Sequence, residues 1–274
     1  MPAKDFFLML RPFNCAMAAL GVFIGCSIAS GTLELKLGLS VAMAVAFLVC
    51  AGGMAVNDYF DRVIDGKRHP EKAIPSGKVG KGVAMAYACA LFLLGNILAF
   101  WFLPRTAFLI AFGFTVLLIV YSAVLSKAKY IGNFVVASGT AFTLVFGASL
   151  VSNYLVVGTL GLAAFFANLA RELIKDLEDA EADEGCKKTL PMLWSRKSIE
   201  ALVFCYYLAA IVLAYVPVAL LSFGKPFFVG LVSLANFAFL YSFGLTLKGD
   251  FSRAQAVSKG AMLVALLGFL AGAA

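Results

Sequence analysis

Charge is scarce in this sequence. Of its 274 residues only 14% are Asp, Glu, Lys or Arg, while 62% are hydrophobic; an ordinary soluble domain carries about 25% charged residues. So little polar side chain cannot cover the surface of a water-soluble globule, which excludes that class. Histidine occurs once, at His69, in a loop position to which no role is assigned. The six cysteines (Cys15, Cys26, Cys50, Cys89, Cys186 and Cys205) show no CxxC or metal-ligand spacing, and five lie in apolar runs as small hydrophobes. A small-residue cleavage site is missing after the first apolar run, so that run reads as a permanent helix.

Long apolar runs are abundant instead, and the mean hydropathy is +0.96. A membrane-crossing helix needs about 20 mostly apolar residues. About nine such runs are present, at 13–29, 37–56, 83–102, 107–125, 134–151, 157–173, 201–221, 227–247 and 257–273. Backbone groups in lipid must satisfy one another, so these runs are helices. The expected fold is all-α: a polytopic membrane helical bundle of about nine transmembrane helices, forming a single domain over residues 1–274.

Basic residues orient such a chain, because Lys and Arg are retained on the cytoplasmic side. With the N-terminus in the cytoplasm and the helices alternating, only Lys36, Arg105 and Lys225 of the 22 basic residues fall on the far side. The chain is therefore expected to be a multi-pass cell-membrane protein. Its net charge of +7 describes one face, suited to anionic membrane lipids and to phosphorylated substrates. Nothing separate points to nucleic acid.

The acids are concentrated on that same face. Only Asp5, Glu34, Glu200 and Asp250 of the 15 lie outside two segments, one after the second apolar run and one after the sixth. The first reads Asn57-Asp58-Tyr59-Phe60-Asp61-Arg62-Val63-Ile64-Asp65; the second reads Lys175-Asp176-Leu177-Glu178-Asp179-Ala180-Glu181-Ala182-Asp183. Both place Asp at i, i+3 and i+7, which puts three carboxylates on one helix face. Like charges so arranged repel unless cations neutralise them. Oxygen-only ligands suit a hard divalent cation, and magnesium takes one or two carboxylates together with waters and phosphate oxygens. Two such faces could hold two or three ions around a diphosphate. The four-helix offset between the segments suggests a duplicated four-helix unit with one helix appended. Arg68, Lys72, Lys127, Lys129, Arg171, Lys175, Lys187 and Lys188 lie near the same face and suit an anionic leaving group.

These segments resemble the two signatures of the UbiA superfamily of intramembrane prenyltransferases. Asn57, Asp58, Asp61 and Asp65 match its Asn-Asp-x-x-Asp-x-x-x-Asp motif, and Asp179 and Asp183, preceded by Asp176, match its Asp-x-x-x-Asp motif. Within the superfamily the chain is most similar to the digeranylgeranylglyceryl phosphate synthases of archaeal ether-lipid synthesis. That similarity rests on Arg11-Pro12-Phe13-Asn14, on Gly21-Val22-Phe23-Ile24-Gly25 and on the stretch from Arg171 to Asp179. One departure stands out: where many members carry Asn-Arg-Pro before a Pro-Ser-Gly turn, this chain reads Glu71-Lys72-Ala73-Ile74-Pro75-Ser76-Gly77. Lys72 keeps the charge without the planar fork of Arg, which leaves Lys72 and Arg68 as the two candidates for the phosphate clamp.

The resemblance implies a Mg2+-dependent prenyltransferase. Asn57, Asp58, Asp61, Asp65, Asp176, Asp179 and Asp183 are its expected metal ligands, with Asp61, Asp65, Asp179 and Asp183 central to catalysis. It also implies a prenyl diphosphate donor and a lipid-like phosphorylated acceptor, joined as an ether. The substrates would be bound through Asn14, Arg68, Lys72, Lys127, Arg171, Lys175 and Lys187. Tyr121 is placed to stabilise an allylic cation through its ring face. An aromatic prenyltransferase acting on a quinone precursor is the nearest alternative, because it would use the same donor site. A transporter is the alternative of another class, but no line of polar residues continues across the outer halves of the helices.

Overall fold

The computed structural model describes residues 3–125, 129–180, 189–221, 223 and 225–273, with the side chains at 3, 68, 129 and 220 excepted. All regular structure among them is helical. A short helix α1 (Ala3–Met9) precedes α2 (Pro12–Ser30), α3 (Leu37–Arg68), α4 (Lys81–Phe102), α5 (Arg105–Ala123), α6 (Lys129–Ala148) and α7 (Leu155–Glu178). A 3-10 turn (Leu190–Met192) then leads to α8 (Arg196–Leu220), α9 (Pro226–Leu247) and α10 (Phe251–Ala273). Nine of these, α2 to α10, are long and apolar enough to cross a membrane, as the nine apolar runs anticipate.

The helices start and stop where local chemistry directs. Pro12 and Pro226 open α2 and α9, positions where a missing N–H costs nothing. The Ser195 side chain caps α8 by accepting from the Ser198 N–H. At the end of α9, Gly249 has φ +81° and the Asp250 N–H reaches back to the Leu245 carbonyl, a Schellman closure that a left-handed glycine permits. Several helices run well past their apolar runs. α3 continues to Arg68 and α7 to Glu178, while α6, α8 and α10 begin at Lys129, Arg196 and Phe251, before the runs that start at 134, 201 and 257.

The chain divides into two compact units, residues 1–23 with 35–126, and residues 24–34 with 127–274. In the first, α3 packs on α4 and α5, and the α1–α2 elbow buries Leu10 and Cys15 against Ala51, flanked by Phe47, Cys50, Tyr87 and Leu91. In the second, α7 packs on α6, α8 and α10, and α9 on α10. Its core centres on Tyr207, whose ring stacks on Phe239 at 5.1 Å and whose hydroxyl meets Ser242 Oγ at 3.1 Å. Large apolar side chains such as Trp101, Phe227 and Phe237 are strongly exposed. In lipid such exposure costs nothing, whereas in water it would mark an association surface.

Candidate functional site at two carboxylate-bearing helix ends

The first acidic segment lies wholly within α3, so the i, i+3, i+7 spacing does become a helix face. Asn57, Asp58, Asp61 and Asp65 fall within a sector of roughly 100° about the helix axis. Asn57 Nδ2 donates to Asp61 Oδ2 at 3.2 Å. Arg11 Nη2, from the elbow between α1 and α2, donates to Asp58 Oδ1 at 2.9 Å. Asp65 is 8% exposed; Lys72 Nζ lies 2.8 Å from its Oδ1, while its Oδ2 is buried without a hydrogen-bond partner among the described residues.

The loop after α3 explains why Lys72 meets Asp65. The His69 N–H bonds to the Asp65 carbonyl, and the Lys72 N–H to that of His69. The Ser76 hydroxyl then closes onto the Lys72 carbonyl at 2.7 Å, and Gly77 turns the chain with φ +76°. The Pro75-Ser76-Gly77 turn thus folds the loop back on the helix it follows. Arg62 donates to the Tyr59 carbonyl at 2.7 Å, and its guanidinium lies over the Tyr59 ring.

The second segment begins on the last turn of α7. Asp176 is fully buried, and Asn133 Nδ2 on α6 donates to its Oδ2 at 2.7 Å. Arg171 Nη1 donates to Glu172 Oε1 at 2.5 Å and to Asn168 Oδ1 at 3.3 Å, while Asn168 Nδ2 donates to Thr140 Oγ1 at 2.7 Å. Gln255 on α10 donates to Glu178. Asp179 ends the helix half-buried, its N–H bonded to the Lys175 carbonyl. Asp183, Lys127 and Lys187 lie outside the described residues, as does the side chain of Arg68.

Of the other expected site residues, Asn14 is exposed in the first turn of α2. Tyr121 is half-buried in the last turn of α5, and Lys175 is half-buried on α7. Arg11 and Asn133 did not figure among the expected site residues, although each bonds an expected metal ligand. Asn133 carried a readable signal, being a polar residue just ahead of an apolar run; Arg11 lay in a stretch that carried the resemblance, with nothing to pair it with Asp58.

Among the described residues, no three His, Cys, Asp or Glu side chains converge on one metal-sized point. A four-carboxylate cage is not what magnesium requires, since one or two carboxylates suffice beside water and phosphate oxygens. Asn57, Asp61 and Asp65 offer oxygen donors on one helix face, and the buried Oδ2 of Asp65 is a polar atom in need of a cation or donor. The donor set fits a hard divalent ion.

Residues 18–270 match the model of the UbiA prenyltransferase family. The digeranylgeranylglyceryl phosphate synthase of Thermococcus kodakarensis is 40% identical over 80% of this chain and 79% of its own length. A solved structure of a digeranylgeranylglyceryl phosphate synthase, 30% identical, superposes with a TM-score of 0.83 over 98% of both chains. A homologue from Archaeoglobus fulgidus bound to GPP and Mg2+ is 17% identical and shares the fold, with a TM-score of 0.70 over 97% of this chain and 99% of that one.

Proposed function

The chain belongs to the UbiA prenyltransferase family, and from that premise we propose that it makes the second ether bond of archaeal membrane lipids. It transfers a geranylgeranyl group from geranylgeranyl diphosphate to the free hydroxyl of geranylgeranylglyceryl phosphate. The observation that carries the reading is the face of α3 around Asp65. A carboxylate there is nine-tenths buried, with one oxygen on Lys72 and the other without a hydrogen-bond partner among the described residues, beside Asn57 and Asp61. A buried carboxylate so equipped is stable only with cationic company. The name shared by the Thermococcus relative and the solved homologue supplies the choice of acceptor.

Magnesium, when bound, supplies Lewis-acid polarisation of the diphosphate leaving group. Asn57, Asp61, Asp65, Asp179 and Asp183 are the residues we assign to hold it. Lys72 pairs with Asp65 at 2.8 Å and adds positive charge beside the departing diphosphate. Arg68, Lys127, Arg171, Lys175 and Lys187 are assigned to the phosphate groups of the two substrates, Asn14 to the acceptor, and the Tyr121 ring to the allylic cation. As the prenyl C–O bond breaks, the acceptor oxygen bonds to the same carbon, its proton passes to a carboxylate, a phosphate oxygen or water, and diphosphate leaves. Residues 1–274 act together as one catalytic domain, and the motifs face the cytoplasm, where the basic residues are retained. The apolar helices accept both lipid tails and keep water from the cation.

The test uses protein purified in detergent, labelled geranylgeranyl diphosphate and geranylgeranylglyceryl phosphate, with and without magnesium. The expected result is a magnesium-dependent ether product that Asp61→Ala and Asp179→Ala each abolish. Prenylation of 4-hydroxybenzoate alone would keep the donor chemistry and overturn the acceptor. Undiminished activity in both variants would overturn the assignment of the metal motifs.

A further inference from the structure

The two aspartate triplets share more than spacing. In the aligned pattern the leading members are Asp58 and Asp176, and in each unit a side chain from the start of the preceding membrane helix has already engaged that residue. In the first unit the partner is Arg11, which immediately precedes α2; in the second it is Asn133, in the second turn of α6. α2 stands before α3 as α6 stands before α7, so the same connection recurs at the same place in both halves of the duplicated pattern. We propose that Asp58 and Asp176 are positioning residues rather than metal ligands. Each is the strut by which Arg11 or Asn133 fixes the rotation of the helix whose neighbouring residues, Asn57, Asp61 and Asp65 on α3 or Asp179 at the end of α7, are assigned to metal. This rests on the reading that the two motifs bind metal.

Burial decides the case for Asp176. It has no exposed surface and its partner Asn133 is 3% exposed. An ion that keeps waters and also holds a diphosphate needs room around each ligand oxygen. Asp65 keeps 11% of its side chain exposed, but Asp176 keeps none, so to ligate such an ion Asp176 would first have to leave the packing between α6 and α7. Asp58 is less deeply set, with 13% of its side chain exposed, and there the evidence lies in how its partner is built.

Arg11 has φ +50°, a left-handed conformation unusual for a residue with a side chain and further disfavoured by the proline that follows. Such strain persists only where the surroundings over-determine it. Here they do. The Arg11 N–H bonds to the Leu8 carbonyl, and its own carbonyl accepts from Asn14 N at 2.9 Å and Cys15 N at 3.4 Å. Leu10 and Cys15 anchor the elbow in the apolar cluster with Ala51, and the Phe6 ring meets Tyr87 edge-on at 5.2 Å. The elbow is thus held against the helix that carries the motif, and its one guanidinium is delivered to Asp58.

Binding of Mn2+ in the presence of inorganic diphosphate, followed by electron paramagnetic resonance on detergent-purified protein, tests the proposal without turnover. Loss of an outer-shell partner weakens metal binding by roughly tenfold to a hundredfold. Arg11→Ala and Asp58→Ala are each expected to weaken Mn2+ binding by about tenfold, with the double variant no worse than either single one. Asn133→Ala, Asp176→Ala and their double variant should behave likewise. Asp58→Asn and Asp176→Asn, which keep an acceptor for the same donor and also guard against a variant that fails to fold, should bind Mn2+ within about threefold of wild type. A purely structural role would lower the thermal midpoint and leave the affinity of the folded fraction unchanged, which would overturn the proposal. So would normal or tighter Mn2+ binding in Arg11→Ala combined with loss in Asp58→Asn, because that pattern makes Asp58 a ligand. Asp61→Ala and Asp179→Ala serve as controls. If they bind Mn2+ as wild type does, the metal reading of the motifs fails and the proposal fails with it.

Discussion

Gly25 lies against the backbone of α6 in the second unit, and its replacement gives a sharp test of the packing. A Cβ built at Gly25 would lie 2.0 Å from the Leu144 carbonyl oxygen and 2.7 Å from the carbonyl carbon, both backbone atoms of α6. Ordinary contact begins near 3.4 Å, so Gly25→Ala is short by about 1.4 Å. No rotamer can absorb that deficit, because neither partner is a side chain. The helices must part, and membrane helices rely on close packing of small residues where no hydrophobic drive operates between them. Overpacking a core costs about 1–3 kcal/mol, and a backbone clash belongs at the upper end. For a chain of this size each kcal/mol moves the midpoint by about 2–4 °C, so a fall of roughly 6–12 °C is expected for the detergent-solubilised protein. Gly158→Ala is the matched control: nothing lies within 4 Å of its Cβ position, and alanine favours a helix by about 0.8–1 kcal/mol over glycine. Melting followed by size-exclusion fluorescence would refute the reasoning if Gly25→Ala matched wild type or if both variants fell alike.

Three further outcomes follow from single contacts. Tyr207→Phe removes a buried hydroxyl from Ser242, which itself donates to the Ala254 carbonyl at 2.8 Å, and should cost about 1 kcal/mol, read as a lower melting midpoint with turnover retained. Arg196→Ala frees the Thr246 and Leu247 carbonyls at the end of α9 and uncovers the Phe251 ring; a loss of about 1–2 kcal/mol is expected, again by melting, and Arg196→Lys should restore less than half of it. Lys72→Ala removes a positive charge beside the assigned diphosphate site, so turnover at saturating magnesium should fall, and Lys72→Arg should recover most of the difference.

The membrane architecture was legible because hydrophobic length is a local property, and all nine runs became helices. The helical phase of the first motif was legible for the same reason: i, i+3 and i+7 within one helix depend on nothing outside it. What the chain does with each carboxylate was not. Arg11 and Asp58 are 47 residues apart, and Asn133 and Asp176 are 43 apart; no window along the sequence joins them. The same limit explains Lys72. Expected among the substrate-binding residues, it sits on Asp65 because a turn at Pro75, Ser76 and Gly77 folds the loop back. The short helix α1, seven residues long, went unread because it is far below the length at which an apolar run declares itself.

Those long-range contacts answer a mechanical need created by the motifs' own position. The apolar run of α3 ends at residue 56, and every motif residue lies beyond it, on a helix that continues to Arg68. The apolar part of α7 likewise gives way before Asp176. Past the apolar run a helix end has fewer apolar contacts to fix its rotation within the bundle, yet its carboxylates must meet an ion at about 2.0–2.1 Å. Side chains extend about 5–6 Å from a helix axis, so a rotation of roughly 20° displaces a carboxylate by about 2 Å, a full metal–oxygen distance. Polar contacts have to supply the missing constraint. On α3 they come from both sides of the motif, Arg11 to Asp58 and Lys72 to Asp65; on α7 they come from two neighbouring helices, Asn133 to Asp176 and Gln255 to Glu178. Each motif is bonded at two points along its length, and two points fix a rotation where one would leave a pivot.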